Sequence, residues 1–361
     1  MVKKLEVMEI PRVIIFGPDA VQNIDKVVEK FSEEQKIAVI SGGKITSSIA
    51  REQVLPLLKD FKVTHLTIGQ KDSITAIKHF KERLSKEQPD LLIAVGGGRV
   101  IDVTKVVAYL LKKEYVSVPT SAANDGIASP SLSYLLKVDL RKFFNLNLSM
   151  ARAPIAVIAD TTIISKAPKI TFQAGCGDLL AKYVAVKDWQ LAHRLKGEDY
   201  SEYAASMALM SADIVVKWSN VIKLGGETAA RILVKALIGS GVAMSIAGSS
   251  RPASGSEHLF SHALDLLSRK YGFKSAPHGL QCGVGAIMMM WLHGGDWELI
   301  KDTLEKIGAP ITAKELNIPS KYIIEALVMA HKLRPERYTI LGESGLTRKA
   351  AEKLAKETGV I

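Results

Sequence analysis

The sequence predicts an α/β N-terminal domain, Rossmann-like with a parallel sheet, followed by an all-α C-terminal domain. Three observations carry this. Up to about residue 160, short apolar runs alternate with charged amphipathic stretches. Strands that are apolar throughout need cover on both faces, which a parallel sheet between helices provides. After Thr162 the texture changes to long helical patterns, and convincing β-branched runs nearly vanish. The chain also has 361 residues, more than one core ordinarily fills. The boundary is placed between 162 and 168, giving domains 1–164 and 165–361.

Taken in order, the predicted strands are "KIAVI" (36–40), "VTHLTIG" (63–69), "DLLIAVGGG" (90–98), "YVSVPT" (115–120) and "PIAVIAD" (154–160). Helical patterns lie between them, among them "ITSSIAREQVLPLLKDF" and "SITAIKHFKERLSKEQ". The second half offers "FQAGCGDLLAKYVAVKDWQLAHRL", "EYAASMALMSADIVVKWSNVI", "GETAARILVKALIGSGVAMSIAG" and "KYIIEALVMAHKL". The longest apolar run, "ALIGSGVAMSIAG", follows closely on Lys235 and is shorter than the ~20 residues of a membrane span, so it reads as a buried helix. No membrane insertion is expected. The start, "MVKKLEVMEIPRVIIFG", lacks the apolar core of a signal peptide and reads as mature, cytoplasmic sequence.

Hydrophobic residues make up 47% and charged residues 24%, as in a packed soluble protein. The net charge of +11 raises the question of nucleic acid. In stretches such as "KHFKERLSKEQPD", however, acids interleave with the bases and no continuous basic stripe forms, so no nucleic-acid partner is expected. Two cysteines, Cys176 and Cys282, make no disulfide framework.

Two regions hold the chemistry. In "LLIAVGGGRVIDVTK" a buried strand runs into Gly96-Gly97-Gly98 and a helix follows. Backbone N–H groups without side chains around them, at a helix N-terminus, suit a pyrophosphate; the competing reading is a plain tight turn. Asp102 is placed in the first helical turn. The next strand ends in "PTSAANDGIASP", a loop of small and hydroxylated residues able to line a cleft, or else a surface turn. In the second half, "SGSEHLFSHALD" puts His258 and His262 four residues apart on one helical face. His278 follows in "SAPHGLQCGVG", where Pro277 suggests a helix start. Separated imidazoles with a carboxylate make a divalent-metal set, and Asp178, read as lying early in an apolar helix, is the best acid. Cys282 is read as inert packing rather than ligation, "IMMMW" as helix core, and His293 as facing water.

These motifs carry a resemblance. Together with "GCGDLLAK" and "LRPERYTILGESG", they resemble in order the superfamily of iron-containing alcohol dehydrogenases, glycerol dehydrogenases and dehydroquinate synthases, most closely its archaeal sn-glycerol-1-phosphate dehydrogenase branch. The resemblance implies a dehydroquinate synthase-like fold and metal ligands Asp178, His258 and His278. It implies a dinucleotide loop of Gly96, Gly97, Gly98, Arg99 and Val100, with Thr120, Ser121 and Ser129 flanking the nicotinamide and its ribose. Asp125 then contacts substrate, and His262 is a substrate or proton-relay histidine. The activity implied is reduction of dihydroxyacetone phosphate by NADH or NADPH for archaeal ether lipids, with one Zn²⁺ per subunit and self-association. Oxidation of unphosphorylated glycerol by NAD⁺ is the alternative. Whether Lys44 or Lys71 meets a 2′-phosphate, which separates NADP from NAD, is open. Arg251 is the candidate clamp for the substrate phosphate; the competing reading, favoured by base rate, is a surface arginine.

Overall fold

A computed structural model describes residues 7–361; the first six, part of the N-terminal stretch read above as mature chain, lie outside the described residues. The chain divides into two compact units, residues 1–167 with 226–245, and residues 168–225 with 246–361.

The first unit holds a six-stranded parallel sheet: β1 (Val13–Gly17), β2 (Lys36–Ser41), β3 (Lys62–Thr67), β4 (Leu91–Gly96), β5 (Glu114–Pro119) and β6 (Ala156–Asp160). Their order is β1-β6-β5-β4-β2-β3. The helices of its first segment are α1 (Ile24–Phe31), α2 (Lys44–Ile49), α3 (Ser73–Glu87), α4 (Gly98–Leu111), α5 (Tyr134–Phe144) and α6 (Thr161–Ser165). Every residue of β4 is buried, because neighbours pair with it on both edges and helices cover both faces. Val39, Ile93, Val95, Val116 and Ile158 form one core with Val27 and Val28 of α1. Each such side chain contributes about 1.5–3 kcal/mol on burial. α3 begins where Asp72 accepts the Thr75 N–H at 2.9 Å, satisfying an orphan donor of the first turn.

The second unit is helical: α7 (Lys169–Leu180), α8 (Lys182–Lys196), α9 (Glu202–Leu224), then, after α10, α11 (Ser256–Tyr271), α12 (His278–Leu292), α13 (Trp297–Ile307), α14 (Ser320–Met329) and α15 (Arg348–Glu357). The intervening α10 (Gly226–Ala247) sends residues 226–245 back to the first unit. There Ser240 Oγ donates to Asp125 Oδ2 at 2.8 Å. By length and composition α10 is apolar enough to cross a membrane, yet 67% of its most apolar window is buried within the chain, as in a core helix.

Five predicted strands appear within two residues of their expected bounds. The sixth, β1, is not among the expected strands; its signal is "VIIFG", a β-branched run closed by glycine. The pattern expected as one helix over 45–61 breaks into α2, a wide turn at Ala50–Val54 and a 3₁₀ turn at Leu55–Leu58. Pro56 has no N–H to carry the helix on. The long pattern over 172–195 is two helices, parted at Ala181.

Candidate metal centre and dinucleotide loop

In the second unit the metal candidates arrive on three helices, and glycine sets how closely two of them approach. A Cβ on Gly177 of α7 would overlap the carbonyl oxygen of Gly279 in α12, and one on Gly279 would overlap that of Ala174. Only bare backbones pass this close. The residues just after and just before these glycines are Asp178 and His278, so the crossing brings both to one point. Asp178 lies in the last turn of α7 rather than early in the helix as expected, and is 1% exposed. His258 and His262 share a face of α11, ring centroids 6.1 Å apart, and the His278 ring lies 4.9 Å from His258 and stacks on His262 at 5.9 Å.

The donor atoms converge. His258 Nε2 is 3.6 Å from Asp178 Oδ1. His258 Nδ1 donates to Glu257 Oε1 at 2.6 Å, so with an ion bound Nε2 would be the electron-pair donor. His278 Nδ1 lies 3.0 Å from Ser261 Oγ. Ligand atoms of His258, His278 and Cys282 all fall within 4.8 Å of one another. Asp178 Oδ2 is 3.3 Å from Lys182 Nζ, whose side chain is fully buried. Burial pushes the Asp178 carboxyl up, but Lys182 and then the two imidazoles outweigh it and hold the group below the ordinary carboxylate range. Burial also raises the Cys282 thiol, and the His258 and His278 charges more than offset it, bringing it down to about 7. One carboxylate and two imidazoles, each imidazole tied down at its other ring nitrogen, is a donor set that fits a divalent ion of the zinc type.

Glu257, Ser261 and Lys182 were not read from sequence. Neighbours on a helix ordinarily point apart. Glu257 reaches His258 because it sits in the first turn of α11 and folds back, its Oε1 also accepting the Gly255 N–H at 2.8 Å.

The readings offered for Arg251 and His293 both fail here. Arg251 is no phosphate clamp: it is 3% exposed, its Nε and one terminal nitrogen pair with Glu198, and the other donates to the Tyr338 carbonyl at 2.8 Å. Its donors are spent inside the fold. His293 does not face water; its Nε2 lies 3.0 Å from Asp188 Oδ1, a carboxylate that also accepts the N–H groups of Ser256 and Ile340.

In the first unit the triple glycine is the turn from β4 into α4, with Gly97 as the cap residue. Val100 packs directly beneath Gly96, and Asn124 lies against Gly98. Arg99 turns away, donating to the Lys71 carbonyl and to Ser73 Oγ. Asp102 is past the first turn of α4 and accepts the Ser133 N–H at 3.0 Å. The "PTSAANDGIASP" loop is no surface turn: Thr120, Asp125 and Ser129 are all buried, and only Ser121 among the four is partly exposed. A buried lysine organises it. Lys105 Nζ donates to the carbonyls of Gly126 at 2.9 Å and Ser131 at 2.7 Å. A glycine-lined helix N-terminus beside this loop fits a pyrophosphate. Lys44 and Lys71 are both exposed.

The profile of the family described as iron-containing alcohol dehydrogenase matches residues 15–168. The chain is 54% identical over 319 residues, 88% of itself and 100% of the relative, to a glycerol-1-phosphate dehydrogenase (NAD(P)+) of Korarchaeum cryptofilum. It is 47% identical to the enzyme of that name from Pyrococcus furiosus, over 99% of this chain and 100% of the relative. Among solved structures, a probable glycerol dehydrogenase from Sinorhizobium meliloti superposes with a TM-score of 0.79 at 17% identity, over 99% of this chain and 100% of that one. Glycerol dehydrogenase from Schizosaccharomyces pombe gives 0.74 at 18%, over 99% and 94%. At such identities the structures speak to fold alone, and they share it from end to end. Identity near one half along the whole length says more: the chain belongs to the NAD(P)-dependent glycerol-1-phosphate dehydrogenases, a family of the iron-containing alcohol dehydrogenase class.

Proposed function

We propose that this chain reduces dihydroxyacetone phosphate to sn-glycerol 1-phosphate with NADH or NADPH, using one Zn²⁺ per subunit. The observation that carries the reading is His258, whose Nε2 lies 3.6 Å from Asp178 Oδ1 and whose ring lies 4.9 Å from that of His278. A bound zinc ion supplies Lewis-acid polarisation of the ketone, and a reduced nicotinamide supplies the hydride.

The chain's own groups do the rest. Asp178, His258 and His278 hold the ion, while Glu257 and Ser261 hold the imidazoles in register. Gly96, Gly97 and Gly98 open the backbone to the pyrophosphate, with Arg99 and Val100 fixing the turn on either side. Thr120, Ser121 and Ser129 shape the wall beside the nicotinamide and ribose. Asp125 orients the substrate hydroxyls, held in turn by Ser240. His262, stacked on His278, passes a proton to the developing alkoxide; an imidazole suits that task near neutral pH. The substrate in this reading is a phosphorylated small molecule, and the enzyme works in the cytoplasm, feeding archaeal ether-lipid synthesis. Self-association belongs to the same reading, supported by Tyr203, Met210, Trp218 and Leu224, exposed apolar side chains along one face of α9.

The test is a two-substrate assay with metal analysis. NADH should be consumed with dihydroxyacetone phosphate and hardly at all with dihydroxyacetone; the reverse preference would replace the reading with glycerol dehydrogenation. Asp178→Asn should lose zinc and activity together while keeping its circular dichroism spectrum.

A further inference from the structure

We infer that Lys105 is a positioning residue for the hydride step: its buried ammonium holds the carbonyls of Gly126 and Ser131 and thereby fixes Asp125 and Ser129 in place. The inference rests on the roles read for Asp125 and Ser129 above and adds a residue to which that reading gives no task.

Geometry is the first support. Lys105 lies within α4, and its side chain is fully buried. Gly126 directly follows Asp125, and Ser131 stands just past Ser129. One nitrogen therefore holds both ends of the segment between them, at 2.9 and 2.7 Å. Asp102, one turn earlier on the same face of α4, accepts the Ser133 N–H at 3.0 Å and adds a tie just beyond. Asp125 opens a 3₁₀ turn, and its carbonyl accepts the N–H groups of Ala128 and Ser129, both at 3.2 Å. Ser240 Oγ donates to its carboxylate at 2.8 Å. Asp125 and Ser129 thus share one compact turn, and Lys105 fastens that turn to α4.

Charge is the second. Burying an ammonium is unfavourable unless its surroundings compensate it. Burial pulls the Lys105 pKa below the ordinary lysine value, and the charges of Asp102 and then Asp125 push back. The shortest contacts of the nitrogen are the two loop carbonyls, while Asp102 Oδ1 is 3.7 Å away. A methionine would fill the same space with no charge to desolvate, so packing alone does not account for a lysine here.

The third support is the separation of tasks along one helix. Gly98 opens α4 at the proposed pyrophosphate site, and Lys105 follows two turns later, about 10 Å along the axis. Removing the ammonium therefore loosens the turn that carries Asp125 and leaves the helix N-terminus in place. The expected loss falls on the rate of reaction rather than on dinucleotide affinity. Misplacing a positioned group by about 1 Å costs on the order of 100-fold in rate.

The experiment uses the full-length enzyme loaded with zinc. Lys105→Met keeps the stem and removes the charge. Lys105→Ala opens a slot that n-propylammonium, matched in length to the deleted atoms, refills. Both variants should bind NADH with wild-type affinity, followed by nucleotide fluorescence, while kcat with dihydroxyacetone phosphate falls about 100-fold. In Lys105→Ala, n-propylammonium should restore kcat saturably and the neutral 1-propanol should not. Rescue by the alcohol as well as the amine overturns the inference, because volume rather than charge would then be what matters. An NADH affinity that falls in step with kcat also overturns it, placing the lysine in service of the dinucleotide loop. Should neither variant fold even with n-propylammonium present, Lys105 is a stability residue and the inference fails. A wild-type chain inert toward dihydroxyacetone phosphate overturns the substrate reading beneath the inference, whereas an active wild type beside a fully active Lys105→Met overturns the inference alone.

Discussion

His258 shows how a single residue is prepared for its work. A free imidazole has two tautomers and a rotating ring, and Glu257 removes both freedoms by accepting from Nδ1 at 2.6 Å. Glu257→Gln keeps the shape and discards the charge, so zinc affinity should drop by roughly 10–100-fold, as for other outer-shell partners. Chelator competition measures this directly, and excess zinc should restore the rate. Affinity equal to wild type would reduce Glu257 to a helix-terminus contact. Asp178, His258 and His278 were legible in sequence as residue types at suggestive spacings. Glu257, Ser261 and Lys182 were not, because their roles depend on which way each side chain turns. Arg251 teaches the reverse: a basic residue near a proposed site reads as a clamp until its partner, Glu198, is seen to be 53 residues away in sequence.

At the level of elements, the crossing of α7 and α12 sets how closely the helices carrying Asp178 and His278 approach. The two helices meet through glycine backbone, with Gly177 against Gly279 and Gly283. Gly177→Ala puts a methyl where a carbonyl oxygen already stands, and backbone cannot yield as a flexible side chain does. Overpacking of this kind costs about 1–3 kcal/mol. The melting temperature should fall and zinc stoichiometry with it, while dinucleotide binding, followed by nucleotide fluorescence, should persist because its loop lies in the other unit. Unchanged zinc content would show that the ligands do not depend on the close crossing. The strands were the most readable elements, since apolar runs of five or six residues closed by glycine or proline admit few other interpretations. Helix ends were less so: α7 and α8 share one continuous pattern, and nothing local marks the break at Ala181.

For the whole molecule, the assignment of α10 is the main surprise. In sequence it belongs among the helices of the second half, yet residues 226–245 join the first unit. Gly241 lets its backbone approach the Asp125 carbonyl and Ser129 N–H, and Ser240 holds the Asp125 carboxylate. A fragment of residues 1–164 should therefore melt without cooperativity, and one carrying 226–245 on a short linker should regain a sharp transition; a cooperative 1–164 fragment would make α10 dispensable to that core. The order of strands and helices, the change of texture near 162 and the chemistry-bearing motifs were determined by sequence alone, because hydrophobic periodicity and turn residues act over a few neighbours. The tertiary structure alone decided the return of α10, the engagement of Arg251 and His293, and the approach of Asp178 to His258 and of His258 to His278. Each depends on contacts between segments far apart along the chain, where packing rather than local propensity sets the partner.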